Sequence, residues 1–136
     1  MEEKNQQEIL FKLSLIEQQM QSLHQQLQAV EQGMVELETL KIGLEEFNGS
    51  EGKEIIAPLG KGIFTKAKII SDKLIVDIGN KNLVKKSVKD TQKLILEQIG
   101  KLREAKKGLN ENLEATSKDA EKMIEGFKEK NEESKK

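Results

Sequence analysis

Apolar residues recur at Ile9, Leu13, Ile16, Met20, Leu23, Leu27, Val30, Met34 and Leu37, alternately four and three positions apart. This spacing, which averages 3.5, predicts the seam of a coiled coil, because only a helix brings such residues onto one stripe. The run lies within residues 4–47, which contain no Pro and only two Gly, Gly33 and Gly43. Reading each four-residue gap as a step from d to a places Ile9 at d and Leu13 at a. The next a position after Leu37 is Lys41, so the seam weakens there. A second stripe begins after residue 87, where Ser87 or Asp90 supplies a capping oxygen. It runs through Ile95, Ile99, Leu102, Lys106, Leu109, Leu113, Thr116, Ala120, Met123 and Phe127 with the same alternation.

Between the stripes the character changes. Asn48-Gly49-Ser50-Glu51-Gly52-Lys53 breaks the first helix. Four short β-rich runs follow: 54–59, 63–70, 73–78 and 83–86. Gly60-Lys61-Gly62, Ser71-Asp72 and Gly79-Asn80-Lys81-Asn82 separate them, which predicts two β-hairpins. The expected class is α+β: a long antiparallel two-helix coiled coil with two central β-hairpins that join an inter-subunit β-barrel. The expected organisation is a single domain over 1–136. Its parts are an N-terminal helix at 4–47, a double hairpin at 48–86, a C-terminal helix at 87–130 and a disordered tail at 131–136.

Antiparallel pairing makes a demand that the stripes can meet. Each a position must face a d position, and pairing residues whose numbers sum to 136 satisfies this throughout. Ile9 then meets Phe127, Leu23 meets Leu113, and Leu37 meets Ile99. A whole-heptad shift keeps the phase, but this register also aligns the helix ends. Lys106 opposite Val30 and Thr116 opposite Met20 are the weak layers.

Isolated hairpins of short strands are marginal in water, and their edges leave backbone groups unpaired. Leu74, Val76 and Ile78 form an apolar face, which Leu40 and Phe47 partly cover. Neighbouring subunits supply the rest. The expected oligomer interface comprises Ile55, Ala57, Phe64, Ala67, Ile69, Leu74, Val76, Ile78 and Leu83.

Composition excludes several classes. A net charge of −1 gives no overall basic field for nucleic acid or an acidic membrane. There is no cysteine, and the one histidine, His24, sits beside the seam, so neither a metal site nor a triad is in prospect. The Glu residues line polar helix faces, and Gly60-Lys61-Gly62 lacks the spacing of a phosphate loop. No enzyme activity, catalytic residue, cofactor or metal is expected. Without a signal segment or an apolar run of about 20 residues, a cytoplasmic protein is expected.

The outward heptad positions are almost all polar, as Gln18, Gln21, Gln25, Gln28, Glu111 and Glu114 illustrate. The exceptions gather near the outer helix ends: Phe11 at f, Leu15 at c, and Leu10 and Ile124 at e. Clustered apolar groups of this kind mark a binding surface. With Phe127, these residues form the expected client-binding site.

The central motif is more specific. Ile55-Ile56-Ala57-Pro58-Leu59-Gly60-Lys61-Gly62-Ile63-Phe64-Thr65-Lys66-Ala67-Lys68-Ile69 and Lys73-Leu74-Ile75-Val76-Asp77-Ile78-Gly79 resemble the alpha-type subunit of archaeal prefoldin. Asn80-Lys81-Asn82 departs from the small or apolar residues usual there. The resemblance implies two alpha-type subunits assembled with four beta-type subunits, their hairpins in a double barrel and six coiled coils projecting from it. It also implies an ATP-independent holdase that binds unfolded client proteins at the coiled-coil tips and delivers them to a group II chaperonin. The alternative function is a structural coiled-coil tether, or a paralogue forming its own oligomer or filament.

Overall fold

The computed structural model describes residues 2–134, with side chains for residues 3–129. Helix α1 spans Glu2–Gly43 and is followed by one 3-10 turn, Leu44–Phe47. Strands β1 (Glu54–Gly60) and β2 (Ile63–Lys68) form one hairpin, and β3 (Leu74–Asp77) and β4 (Leu83–Lys86) a second. Helix α2 spans Val88–Ser134 and runs antiparallel to α1. It continues into the stretch expected as a tail from 131, where Glu and Lys are good helix formers; residues 135 and 136 lie outside the described residues. The chain divides into two compact units. One comprises Met1–Gly33 with Leu102–Lys136, and the other Met34–Lys101.

The first unit is a two-helix coiled coil. All described seam residues are at least half-buried, and Leu23 and Thr116 are the most enclosed, each 8% exposed. Two contacts fix the register. Lys106 Nζ lies 3.5 Å from a carboxylate oxygen of Glu31, and a Cβ placed on Gly33 would meet Leu102 Cδ1 at 3.4 Å. The numbers in both pairs sum to within one of 136, whereas a heptad slip would move the sum by seven. The two layers expected to be weak differ. Thr116 is small enough for the helices to close around it. Lys106 instead lays its stem along the seam and carries its ammonium out to Glu31, with 39% and 49% of the two side chains still exposed.

The second unit has its own core. Leu44, Val88, Ile95 and Ile99 are buried, and Met34, Leu37, Phe47 and Leu74 pack on them. The start of α2 is capped as the sequence predicts: the Asp90 N–H donates to Ser87 Oγ at 3.1 Å. Asp90 places a carboxylate in the first turn, where the helix dipole favours it. Gln92 ties the two chain segments together. Its Nε2 donates to the Lys41 carbonyl at 3.1 Å and to Glu45 Oε1 at 3.0 Å. Ser50, 2% exposed, donates to the Phe47 carbonyl at 2.7 Å and closes the turn out of the helical segment.

The hairpins are separate two-stranded sheets. In the first, Ile55 pairs with Ala67, Ile56 with Lys66 and Pro58 with Phe64, before a bulge between Pro58 and Gly60. The bulge suits proline, which has no N–H to give the ladder. The loop residues Lys61 and Gly62 have φ of 48° and 79°, the left-handed geometry of a tight hairpin turn. In the second, Leu74 pairs with Lys86 and Val76 with Val84. The Asn82 N–H donates to the Gly79 carbonyl at 2.9 Å, with Asn80 and Lys81 between them at φ of 51° and 62°. Asn tolerates this conformation, but Lys81 carries a side chain where glycine is preferred.

Two stability outcomes are expected in urea unfolding followed by helical circular dichroism. Ile99→Ala opens a cavity in the second core and lowers stability by about 2–5 kcal/mol. Lys81→Gly relieves the turn and raises stability by up to about 1 kcal/mol.

Candidate functional site

Two of the sets of apolar side chains that remain open contain the residues named above, and each follows from the local fold. The first lies at the start of α1 and the end of α2. Leu10, Phe11, Leu15 and Ile124 are 58%, 66%, 49% and 42% exposed on an otherwise polar coil. Phe127 differs from them: it is a half-buried seam residue, level with Ile9 in the register above. At about 100° per residue, Phe11 and Leu15 stack one turn apart on the outer side of α1. Leu10 instead shares a flank of the helix pair with Ile124, which is level with Lys12. The structure therefore presents two small apolar patches at this end rather than one continuous surface.

The second set is on the hairpins. Strand alternation sends Ile55, Ala57, Ala67 and Ile69 to one face of β1–β2, and Ile56, Pro58 and Phe64 to the other. On the first face Ala57, Ala67 and Ile69 are half-buried, and Ile55 is 40% exposed. There Ile55 and Ile69 border a cleft of about 350 Å³ with Phe47 and Ser50. On the second face Ile56 and Phe64 are 70% and 61% exposed.

The second hairpin is one-sided. Leu74 and Val76 are half-buried and turned toward this chain's own helices, where they line an apolar cavity of about 410 Å³ with Leu40, Leu44 and Leu94. Its outer face carries Ile75 and Leu83, 69% and 66% exposed, and Ile78 beyond the strand is 57% exposed. Sequence reasoning placed Leu74 and Val76 among the interface residues and passed over Ile75 and Ile56. The signal that finds them is the two-residue period. With Leu74 packed on the Leu44, Val88, Ile95 and Ile99 core, its strand neighbour Ile75 is left largely open.

What both sets offer a partner is apolar surface to bury. Among the described residues no group of three or more His, Asp or Glu side chains is placed to hold a metal ion. His24 is exposed on α1. No described helix is long and apolar enough to cross a membrane.

Comparison with known proteins agrees with this architecture. A family model described as prefoldin subunit matches residues 16–133. The prefoldin subunit alpha of Methanosphaera stadtmanae is 23% identical over 88 residues, covering 65% of this chain and 64% of the relative. The prefoldin subunit alpha 1 of Thermococcus kodakarensis is 34% identical over 94 residues, covering 68% of this chain and 64% of the relative. The chain thus spans a little under two thirds of the length of these two relatives. A cryo-EM structure of a filamentous PFD from Methanocaldococcus jannaschii shares the fold at a TM-score of 0.75 and 18% identity, over 82% of this chain and 94% of that one. With two antiparallel helices enclosing two hairpins, and the family match running from the third turn of the seam to the end of α2, the chain belongs to the prefoldin family as an alpha-type subunit.

Proposed function

We propose that this chain is a subunit of an ATP-independent holdase. Its hairpins join those of beta-type subunits in a shared β-barrel, two alpha with four beta. The outer ends of the coiled coil hold non-native proteins and deliver them to a group II chaperonin in the cytoplasm.

The observation that carries client holding is the contrast along the coil. Between residues 17 and 32 of α1 the outward side chains are polar apart from the small Ala29, yet Leu10, Phe11, Leu15 and Ile124 stand open at the far end. Apolar surface left in water costs about 25 cal/mol per Å² relative to burial, so these residues favour any partner with apolar segments to cover. An unfolded chain offers such segments in many sequences. Aliphatic and aromatic side chains on an open helix face can cover them without a fixed pocket, and no nucleotide is needed to form or break contacts of this kind.

Assembly is supported by the hairpins. Each is a two-stranded sheet with free edges, and a two-stranded hairpin is marginal by itself. Ile55, Ala57, Ala67 and Ile69 supply one apolar face for a barrel interior. Phe64, Ile78 and Leu83 are open to neighbouring strands, while Leu74 and Val76 support the sheet from beneath.

In the complete assembly, simultaneous replacement Phe11→Ser, Leu15→Ser and Ile124→Ser is expected to remove most suppression of aggregation of a chemically unfolded protein. The assembly's mass by native mass spectrometry should not change; full retention of holding by this variant would remove the helix end from the site. Conversely, Leu83→Asp is expected to shift the native mass toward the free subunit, because it puts a charge where two sheets must close. An intact oligomer carrying Leu83→Asp would show that strand β4 takes no part in assembly.

A further inference from the structure

The helical segments of the second unit have two flanks, and β3 lies against only one of them, where Leu40 and Leu94 line the apolar cavity. On the other flank each helix shows a short row. At about 100° per residue, Val35, Glu38 and Ile42 fall within about 60° of one another on α1, and Lys89, Lys93, Leu96 and Gly100 do so on α2. Val35, Ile42 and Leu96 are 59%, 70% and 49% exposed, and Glu38, Lys89 and Lys93 are open as well. Glu45, just beyond α1, is drawn to the same flank by Gln92, whose Nε2 donates to its Oε1. A Cβ placed on half-buried Gly100 would meet nothing within 4 Å, so the α2 row has a notch in it.

The charges of this flank are divided by row, with acids on the α1 side and bases on α2. Among the described residues, none of Glu38, Glu45, Lys89 and Lys93 has an ion-pair partner within the chain. A partner that presents the two signs in reverse order satisfies all four, and a twofold axis parallel to the coil makes this chain such a partner. That axis sets α1 of one copy against α2 of the other at the same level. In the register whose numbers sum to 136, Leu96 is level with residue 40 and Lys93 with residue 43, so Ile42 lies between them. Val35 lies against the Gly100 notch, which is level with residue 36. Glu45 falls between Lys89 and Lys93, and Glu38 is about 7.5 Å from Lys93 along the axis, a gap that two long side chains span. An axis across the coil would instead set acid against acid and base against base. The outer faces of the hairpins fit less well, because Lys66 and Lys85 would come against Lys89 and Lys93.

We propose that this flank is a self-association surface, on which a second copy of this chain docks around a twofold axis parallel to the coil. Each of the two equivalent sites then places Val35 in the Gly100 notch and Ile42 against Leu96. The hairpins of both copies lie at the same end, which is compatible with barrel assembly, but the contact needs neither a beta-type subunit nor a client. Three apolar side chains from each copy make a contact at the small end of protein interfaces, so the expected dimer is reversible.

The chain has no cysteine, so engineered pairs report without background. Full-length chains carrying Val35→Cys and Gly100→Cys, distinguished by mass, are mixed without any other subunit and oxidised. In the control, Gln25→Cys, on an exposed face of α1, replaces Val35→Cys. The expected product is the mixed disulfide, in clear excess over the control and over both homodimers. Adding Glu38→Lys to the Val35→Cys chain should lower its yield about tenfold, the scale of an ion pair exchanged for a repulsion. Lys93→Glu in the Gly100→Cys chain should then restore it. A mixed disulfide no greater than the control overturns the proposal, as does a homodimer in excess of it or a charge exchange that fails to restore it. In an otherwise unaltered chain, Gly100→Leu fills the notch. Sedimentation velocity should then show loss of the dimer with the helical circular dichroism unchanged; a dimer that survives Gly100→Leu also overturns the proposal. Aggregation suppression by the unaltered chain is measured in parallel, so loss of this contact and loss of client holding are read separately.

Discussion

Antiparallel closure of two apolar stripes is the interaction on which the rest of the molecule depends. A helix of 42 residues with a charged and glutamine-rich surface has little reason to persist alone in water, because most helical stability in proteins comes from packing one face. Here that face is a single narrow seam, so every layer counts and the register must be unique. Gly33 against Leu102 and Lys106 against Glu31 specify it from both sides. A small residue admits a large one, and a polar seam residue finds its partner only when the layers are aligned. A slip of one heptad would break both contacts while keeping the apolar phase.

That economy leaves most of the apolar surface elsewhere uncommitted. The second unit buries only four hydrophobic residues well: Leu44, Val88, Ile95 and Ile99. Its hairpins show Ile56, Leu59, Ile63, Phe64, Ile70, Ile75 and Leu83 to solvent, each more than half exposed. A monomer with so many open aliphatic side chains on strands with free edges has a reason to find partners. Function in such a protein resides in what is left uncovered. The coil gives rigidity with few buried residues, and the remaining apolar groups are distributed between assembly and binding.

The turns show how local chemistry adjusts to that design. Gly60-Lys61-Gly62 closes the first hairpin with glycine on both sides of a left-handed lysine. The second uses Asn80-Lys81 for the same backbone shape. The departure from the family pattern at 80–82 is thus an alternative route to a tight turn, with Asn82 completing it through its own N–H. Ser87 and Ser50 serve the helix boundaries: Ser87 Oγ accepts from the Asp90 N–H, and Ser50 adds a hydroxyl donor to the Phe47 carbonyl that its own N–H also reaches.

Much of this was legible in the sequence because coiled coils and hairpins are local codes. A 3.5-residue period specifies a seam, and a/d complementarity across two stripes specifies which layers meet. Glycine and asparagine between alternating runs specify the turns. The outward apolar residues Leu10, Phe11, Leu15 and Ile124 were identifiable for the same reason, since heptad phase alone predicts exposure. The sequence pointed to the Leu74 and Val76 face of the second hairpin as the covered one, but how much of that cover this chain itself supplies was decided by its tertiary packing. Strand alternation gives two faces to β3, both carrying aliphatic residues, and the packing of Leu74 on the Leu44, Val88, Ile95 and Ile99 core leaves Ile75 outward. Tertiary structure also decided the fate of the weak layers. Thr116 became one of the most buried residues and Lys106 an ion-paired edge, because the space between two helices at a given layer is set by both helices together, not by either stripe alone.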